Sequence, residues 1–433
     1  MNALSKKYLF YIFLFSFCIR IIWLVFLFNH PERAFSNPDA WGYQHLAESL
    51  LESNSFPSVF RTPIYPFFIA SIYSIFGKFP QAVLISQYLL DSTTAMFVVI
   101  IILRMFKNIK YSYTGGILYA VNPLAICYSN MILTETLFTF ILAIAIYSFI
   151  LFLQDSKRKR LLFSSLMLGI ATLCRPISLY LPLFLLPFVF IGPLKLKDKL
   201  VSCFIFLMIF YGTLTPWYLR NYQKYDSWIL STVKDVDIFY YEAPAILMYR
   251  NNPLFQIQIG MNRLLETYQN NIWYATRTKY RFCADNPFGI ANDPSKTILL
   301  KKEGLRIIQG DILHIFIIHL NGIVRTLFPF YPPLETFIGN NVKIVKEVSF
   351  SIDVLIMGLS FLGIILSLMG YAGGKYDRVL VVNLIGLIFY FSFVPGIVGF
   401  NRFRLPILPY ISIFSSVGFW RMSGLCKRRK KLA

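Results

Sequence analysis

Acidic side chains and cysteines are scarce in this chain. Its 433 residues contain 21 Asp and Glu against 42 Lys and Arg, for a formal net charge of +21 at pH 7. Such an excess can indicate nucleic-acid binding, but here the basic residues stand in short clusters between apolar runs, as in the cytoplasmic loops of membrane proteins. The six cysteines form no CxxC pair and mostly lie in apolar runs, so neither a disulfide framework nor a zinc site is predicted.

Apolar residues dominate the composition. Hydrophobic residues make up 56% of the chain and aromatic residues 18%, and the mean hydropathy is +0.58. Because runs of membrane-spanning length recur from end to end, we predict an all-α polytopic membrane protein with about 10–13 transmembrane helices. Ten spans are predicted with clear boundaries, at residues 8–28, 82–105, 111–128, 136–153, 161–175, 176–191, 200–217, 350–370, 378–397 and 405–422.

Basic clusters orient these spans. Placing the clusters in the cytoplasm puts both termini inside and makes the first apolar run an uncleaved span. The apolar stretches 63–77 and 310–328 must then stay outside, because counting either as a span would place the basic cluster that follows it on the outer face. The first is short and opens with two prolines, so we predict a juxtamembrane helix, and for the second a re-entrant or interfacial helix.

This topology divides the chain into three parts. Residues 1–218 form a transmembrane core, whose first outer loop spans 29–81. Residues 219–349 form an extracytoplasmic loop or cap region, and 350–433 form C-terminal transmembrane helices with a basic cytoplasmic tail. We expect the long outer region to carry function, since loops of that length usually do.

Several ionisable residues from distant segments fall at the outer membrane boundary. They are Asp39, Arg61, Glu135, Arg175, Arg220, Arg402 and Arg404. A sugar carried on a lipid phosphate has its head group at this depth, and its transfer needs a base for the incoming hydroxyl and cations for the departing phosphate. The shared depth therefore favours a common site, with the arginines as phosphate ligands.

Five of these residues also have a purely structural explanation. Asp39 and Glu135 both fall in the first turn of a predicted helix, where the helix dipole favours an acid. Arg175 precedes a proline and suits an interfacial anchor, and Arg402 and Arg404 could be snorkelling side chains. The sequence leaves both explanations open, although a pair of arginines on the outer side is unexpected under the positive-inside rule.

Arg20 and Asp91 lie deeper than the boundary residues. With a rise of about 1.5 Å per residue, each is roughly 12–14 Å below the outer ends of the first two spans. Unpaired charges at that depth are costly, so we predict that the two side chains face each other. A structural ion pair joining two helices is the favoured interpretation, and a proton or ion path is the alternative.

The motifs resemble those of the GT-C class of polyprenyl-phosphate-dependent glycosyltransferases. The resemblance is to bacterial relatives of the protein O-mannosyltransferases and the lipid A aminoarabinose transferases. It extends over nearly the whole chain, and the matching stretches are DAWGYQHLAESLLESNSF, RTPIYPFFIASIYSIFG, NPLAICYSNMILTETLF, GIATLCRPISLYLP, TPWYLRNY and NRFRLPILPY.

The resemblance implies a function and roles for particular residues. It implies inverting transfer of a sugar from polyprenyl (undecaprenyl) phosphate to an acceptor hydroxyl of a glycan, lipid or protein, on the extracytoplasmic face of a bacterial inner membrane. Asp39 would be the general base and Glu135 would position the acceptor or assist, while Arg61 would contact the phosphate. Tyr43 and Tyr65 match substrate-binding positions of the same motifs.

Two departures bear on cofactors and alternatives. Asp39 is followed by Ala and Trp, where many relatives have a second acid, and no WWD-like signature occurs, so no metal or other cofactor is predicted. A secondary transporter or flippase for a lipid-linked sugar would need midplane charges and two similar halves, for which only Arg20 and Asp91 qualify. A glycan polymerase or ligase using the same carriers differs only in its substrate and stays an alternative.

Overall fold

The computed structural model describes residues 3–28, 30–191, 194–251, 261–282, 284–328, 343–371 and 375–429. Within these ranges the chain forms helices joined by turns, and no strand occurs among them. The prediction of an all-α protein is confirmed. Residues 329–342 of the predicted outer region and the end of the basic tail, 430–433, lie outside the described residues.

The α-helices are numbered here in chain order. They are α1 Ala3–Phe28, α2 Pro38–Ser53, α3 Ile64–Phe76, α4 Pro80–Phe106, α5 Ile109–Ala120, α6 Pro123–Ser129, α7 Glu135–Asp155, α8 Arg158–Cys174, α9 Leu181–Ile191, α10 Leu196–Tyr225, α11 Val233–Asp237, α12 Ala243–Asn251, α13 Met261–Tyr280, α14 Pro294–Ile308, α15 Ile312–Leu327, α16 Lys343–Leu366, α17 Lys375–Phe393 and α18 Leu408–Arg429. Short 3-10 turns occur at Pro31–Phe35, Pro176–Ser178, Pro287–Ile290, Gly396–Val398 and Asn401–Ile407, and π-helical turns at Ile238–Glu242 and Ser367–Tyr371.

Five of the described helices are long and apolar enough to cross a membrane, namely α1, α4, α7, α10 and α16. Of these, α7 is the most deeply packed, with 78% of its apolar window buried. It packs against α4 and α8 and forms the centre of the bundle. The remaining predicted spans coincide with helices that are shorter, interrupted or, in the case of α18 with its 22 residues, less apolar, so the full number of crossings stays a prediction.

The predicted span 111–128 is wrong as a single helix. It is divided into α5 and α6 at Asn122, whose side-chain oxygen accepts hydrogen bonds from the backbone N–H groups of Leu124 and Ala125. Asn before Pro favours a new helix start, because the amide caps the first turn and proline fits its first position. The predicted span 378–397 also ends early, at Phe393.

The two doubtful apolar stretches form helices that do not behave as ordinary spans. α3 has 13 residues and is therefore about 20 Å long, too short for a bilayer core of about 30 Å. α15 follows α14 after a bend of 106°. Both observations agree with the juxtamembrane and the re-entrant or interfacial assignments, which stay predictions.

The C-terminal helices α16 and α18 cross at two glycines. A Cβ atom on Gly363 would clash with the backbone of Phe414, and one on Gly418 would clash with the backbone of Leu359. Close approach through small residues is a common way for membrane helices to associate. This contact fixes α18, and with it the Asn401–Ile407 turn at its start, on the rest of the bundle.

A polar segment covers the end of the bundle where these turns lie. We call residues 229–308 the cap; within its described part are α11 to α14. The cap contacts the loop between α2 and α3 through hydrogen bonds from Ser231 and Thr232 to the carbonyl groups of Phe60 and Val59. Arg61 therefore lies where the α2–α3 loop meets the cap.

Candidate active site

Asp39 stands in the first turn of α2 but is not its cap. The side chain of Asn37 accepts the hydrogen bond from the backbone N–H of Asp39, at 3.0 Å, and Pro38 occupies the first helical position. Since Asn37 already caps the helix, the carboxylate of Asp39 is available for other partners. It remains part-exposed, with 29% of the side chain accessible.

Both carboxylate oxygens of Asp39 are bonded to arginines. Arg61 donates from Nη2 to Oδ1 at 2.5 Å, and Arg402 donates from Nη1 to Oδ2 at 2.8 Å. The two arginines come from the α2–α3 loop and from the turn before α18. Asp39 thus joins segments 363 residues apart in the chain.

Glu135 extends this arrangement into the protein interior. Its side chain is fully buried at the start of α7 and forms ion pairs with both Arg402 and Arg175. Arg402 therefore bridges the two acids. We call Arg61, Asp39, Arg402, Glu135 and Arg175 the arginine–carboxylate network; three arginines face two carboxylates, which leaves one positive charge in excess.

The network shifts the protonation equilibria of its members. Burial alone would raise the pKa of Asp39, but Arg61 and Arg402 outweigh it and lower that pKa to about 2. Burial favours the neutral form of Arg402, yet Glu135 and Asp39 raise its pKa above the ordinary arginine value. The charged forms are therefore held at neutral pH, and Asp39 is a weak base while both arginines stay bonded.

Arg61 is positioned by backbone and aromatic contacts. Its N–H donates to the Ser58 hydroxyl at 3.0 Å, and its guanidinium lies 4.9 Å from the ring centre of Tyr43 and 4.6 Å from that of Phe60. Nη1 also donates to the Tyr43 hydroxyl at 3.2 Å.

The α2–α3 loop is held in turn by Asn292 of the cap. The side-chain oxygen of Asn292 accepts hydrogen bonds from the Ser58 hydroxyl at 2.8 Å and from the backbone N–H groups of Val59 and Phe60 at 3.3 and 3.2 Å.

Arg175 and Arg402 are also held between aromatic rings and turns. Arg175 follows the last residue of α8 and lies 5.9 Å from the ring centre of Phe138 and 5.5 Å from that of Phe403. Such stacking restrains a guanidinium and leaves its edge for anions. Arg402 belongs to the Asn401–Ile407 turn.

Other predicted site residues do not join the network. Tyr65 is buried and donates to Gln87 at 2.7 Å, although its ring packs edge-on against Tyr43. Arg220 donates to the carbonyl groups of Ser58 and Phe56 and lies over Trp217, so it ties α10 to the α2–α3 loop.

Arg404 is separate from Arg402 despite lying two residues further on. It is fully buried and pairs with Asp353 of α16 at 2.5 Å. Residues two apart in a 3-10 turn project in different directions, so one arginine of the pair enters the network and the other holds a helix. Sequence reasoning missed Asp353 and Asn292, because no local pattern indicates partners so far away in the chain.

The deep pair is confirmed. Arg20 donates from Nε to Oδ2 of Asp91 at 2.5 Å, and the Tyr119 hydroxyl donates to Oδ1 at 2.6 Å. Arg20 also reaches the carbonyl groups of Ser16 and Ala120, which joins α1, α4 and α5. The pair is closed on itself, as expected of a structural ion pair.

The donor set at the network does not suit a divalent metal. Asp39 and Glu135 already accept from arginines, and a neighbouring guanidinium repels a cation that would share the same oxygens. Across the part of the chain that the structure describes, no group of three or more His, Cys, Asp or Glu side chains could hold a metal ion.

Residues 60–218 match the profile of the family described as dolichyl-phosphate-mannose-protein mannosyltransferase. The matched range includes Arg61, Glu135 and Arg175, whereas Asp39 and Arg402 lie outside it. The resemblance predicted from the motifs is confirmed for this part of the chain. No curated protein matches the sequence.

One solved structure shares the fold of this chain, and two others align with it more weakly. The apo oligosaccharyltransferase of Archaeoglobus fulgidus aligns with 99% of this chain at a TM-score of 0.56 and 13% identity, and the chain spans 51% of that enzyme's length. A second structure of that enzyme, in complex with Zn and sulfate, covers 88% of this chain and 49% of its own, at TM-score 0.38 and 13% identity. ArnT from Cupriavidus metallidurans in the apo state covers 90% of this chain and 77% of its own, at TM-score 0.35 and 13% identity. The first alignment confirms the predicted GT-C fold.

Proposed function

We propose that this chain, whose residues 60–218 match the mannosyltransferase family profile named above, is an integral membrane glycosyltransferase that uses a sugar linked to a polyprenyl phosphate. The acceptor would be a hydroxyl of a glycan, lipid or protein, reached from the extracytoplasmic face of a bacterial inner membrane, with both termini in the cytoplasm. The family and the fold support glycosyl transfer, and the site residues support the lipid-phosphate donor.

The observation that carries the proposal is the bridge made by Arg402. An arginine bonded to two acids from distant segments, with Arg61 and Arg175 at the ends, is a preorganised cationic centre. Such a centre suits a phosphate, because arginine binds phosphate oxygens in a bidentate manner and a water-poor site strengthens the contact. A purely structural network would need no excess positive charge.

The proposed reaction is a single displacement at the anomeric carbon. The acceptor hydroxyl loses its proton to a carboxylate, its oxygen attacks the anomeric carbon, and the bond to the phosphate breaks with its electron pair going to the phosphate. Attack from the face opposite to the leaving group inverts the configuration. Arg61, Arg402 and Arg175 would stabilise the phosphate dianion that forms.

Asp39 can act as the base in this scheme only under one condition. Both of its oxygens accept from arginines, and its pKa is about 2. A phosphate that takes over Arg61 or Arg402 would free an oxygen and raise that pKa. Glu135, bonded to Arg402 and Arg175, would keep those two arginines in place during the exchange.

The transporter alternative has little support from the buried charges. Arg20 with Asp91, and Arg404 with Asp353, form closed pairs that join helices. A transport path would require ionisable groups that change partners as the substrate passes.

Transfer can be measured with the purified protein in lipid nanodiscs. The donor probe is undecaprenyl phosphate carrying radiolabelled mannose, then glucose or aminoarabinose, and the acceptors are cell-envelope extracts or water. We expect release of undecaprenyl phosphate with one donor and an inverted anomeric carbon in the product, determined by NMR. The proposal would be contradicted if the protein turned over none of these donors and also failed to bind undecaprenyl phosphate.

A further inference from the structure

Gln87 is a polar residue inside the apolar helix α4 and lies outside the arginine–carboxylate network. Its side chain is fully buried, seven residues after Pro80, or about 10 Å along the helix. A buried amide is costly to a fold unless its oxygen and its N–H groups are hydrogen-bonded. The partners of Gln87 therefore indicate why this position is polar.

The amide of Gln87 joins two other segments of the chain to α4. Its oxygen accepts a hydrogen bond from the Tyr65 hydroxyl of α3 at 2.7 Å. Its nitrogen donates to the backbone carbonyl groups of Ser129 at 3.0 Å and Met131 at 2.8 Å. Acceptor and donor are thus both used, as a buried amide requires, and the bonds lead towards two different acids of the network.

The bonds from the nitrogen hold the segment that leads into Glu135. Residues 130–134, which we call the α6–α7 loop, are all buried, with between 0 and 3% of each residue exposed. Ile132 also donates its backbone N–H to the carbonyl of Ala34 at 3.1 Å, in the 3-10 turn before α2. Because buried segments are closely packed, a shift at Met131 would carry Glu135, four residues further on, with it.

The bond to the oxygen leads to the helix of Asp39. The Tyr65 ring packs edge-on against Tyr43, with 5.1 Å between the ring centres. Tyr43 lies one turn after Asp39 on α2, and its hydroxyl accepts a hydrogen bond from Arg61 at 3.2 Å. The amide therefore lies between the two acids of the network, tied to one through the loop backbone and to the other through two aromatic rings.

The separation of the two acids matters because one arginine bonds both. Arg402 donates from Nη1 to Asp39 at 2.8 Å and from Nε to Glu135. A guanidinium is a rigid planar fork, so it can meet both carboxylates only over a narrow range of their separation. A residue that fixes α2 relative to the start of α7 therefore determines how Arg402 is presented to a phosphate.

We propose that Gln87 is a positioning residue for glycosyl transfer, which acts through Glu135 and sets the separation of the two acids. The inference rests on the proposed function. In this role Gln87 touches neither donor nor acceptor, and it keeps Arg402 and Arg175 aligned for the phosphate that leaves. A displacement of about 1 Å in such a site costs about 10²-fold in rate even when the change is remote from the chemistry.

Gln87→Met tests this role, because methionine fills a similar volume but bonds neither carbonyl group. Single-turnover transfer from a radiolabelled sugar on undecaprenyl phosphate, in nanodiscs, should be about 10²-fold slower than in the wild type. The affinity for undecaprenyl phosphate, measured by thermal shift, should stay within about threefold, because all three arginines and both acids remain and the loss falls on the transition state.

Gln81→Met is the matched control on the same helix. Gln81 is also buried, near the start of α4, and its amide oxygen has no hydrogen-bond partner among the described residues. The same substitution there removes a buried amide without releasing the α6–α7 loop. We expect Gln81→Met to transfer at the wild-type rate.

A double-mutant cycle with Glu135→Gln separates positioning from a general structural role. If Gln87 acts through Glu135, Gln87→Met should add little to the loss already caused by Glu135→Gln, because the carboxylate to be aligned is gone. A merely structural glutamine would lower the rate by the same factor in both backgrounds. Gln87→Asn keeps an amide in the bundle but withdraws it by one methylene, so it should show the same lack of additivity with a smaller loss and serves if Gln87→Met does not fold.

Three results would overturn the role of Gln87. They are wild-type-like transfer by a folded Gln87→Met or Gln87→Asn variant, an equal loss of rate in Gln81→Met, and a loss that multiplies with that of Glu135→Gln. Each of them leaves the proposed function standing, since the wild type still transfers the sugar. A wild type that neither binds undecaprenyl phosphate nor turns over any donor would instead refute the proposed function.

Discussion

The arginine–carboxylate network and the Arg20–Asp91 pair contain the same kinds of side chain in different arrangements. The pair is one cation and one anion, both almost fully buried, with the remaining polar contacts made to carbonyl groups and Tyr119. The network has three cations for two anions, and Asp39 keeps access to solvent. One arrangement is neutral and closed, whereas the other is cationic and open at one end.

This difference gives a criterion for separating structural from functional charges in a membrane protein. A closed pair satisfies each group and offers nothing to a ligand, so its value is in joining helices. In an alternating chain of charges with one cation in excess, an arginine can leave a carboxylate and bind a phosphate instead. The carboxylate still has a second arginine as its partner, so no buried charge is left unpaired. Arg404 with Asp353 is likewise one cation paired with one anion, although Asp353 Oδ1 and Arg404 Nε have no hydrogen-bond partner among the described residues.

Breaking the closed pair should have the largest effect. Arg20→Met leaves Asp91 buried without its cation, and we expect a loss of about 3–5 kcal/mol of folding free energy. Combining it with Asp91→Leu should recover most of that loss, because an apolar pair needs no partner. Thermal unfolding in nanodiscs would measure both variants. A double variant as unstable as the single one would show that the pair does more than join helices.

Removing the bridge should affect transfer more than folding. Arg402→Gln takes away a phosphate ligand, and we expect the rate of transfer to fall by about 10²–10³-fold, with weaker binding of undecaprenyl phosphate. Arg404→Gln is the matched control in the same turn. It should lower the unfolding temperature, since Asp353 loses its partner, yet retain carrier affinity in the folded fraction. Equal losses of affinity in both variants would erase the distinction between network and pair.

Asp39→Asn should reduce transfer by about 10²-fold, the cost of misaligning a preorganised donor. The amide cannot hold two guanidinium groups as a carboxylate does, so Arg61 and Arg402 lose their alignment. Thermal unfolding in nanodiscs checks that the variant is folded, so that a loss of transfer reports on the site. A folded Asp39→Asn variant with wild-type-like transfer would contradict the role of Asp39 in the site.

Arg220→Lys should have the smallest effect. Its forked contacts to the carbonyl groups of the α2–α3 loop cannot be reproduced by an ammonium group. We expect a loss of roughly 1–2 kcal/mol of stability and carrier affinity close to that of the wild type. A fall in affinity without a fall in stability would support the phosphate-binding role predicted for Arg220 from its depth.

Depth in the membrane was the most informative property of the sequence. It placed Arg20 level with Asp91, and the two side chains do meet. It also grouped Asp39, Arg61 and Glu135 with two of the four other arginines, because span ends converge at one boundary whatever the order of the helices. Depth does not report direction within a plane, so it also grouped Arg220 and Arg404, which point elsewhere.

Contacts made by the cap could not be predicted. Asn292 lies in a stretch without helical periodicity of its own or a motif, and its partners are at residues 58–60. Such contacts depend on how the whole chain folds back over the bundle. The break at Asn122 was missed for a different reason, since a capping amide before proline was hidden inside an otherwise apolar run.

The hydrogen bonds of Asn292 have a thermodynamic consequence. One side-chain oxygen accepts hydrogen bonds from three consecutive residues of the α2–α3 loop, Ser58 to Phe60, which directly precede Arg61. A molecule that shifts the cap would therefore change the position of Arg61, and a molecule that fixes Arg61 would restrain the cap. Binding at the two places is then coupled, and by reciprocity an acceptor on the cap would alter the affinity for the carrier by the same factor as the carrier alters the affinity for the acceptor.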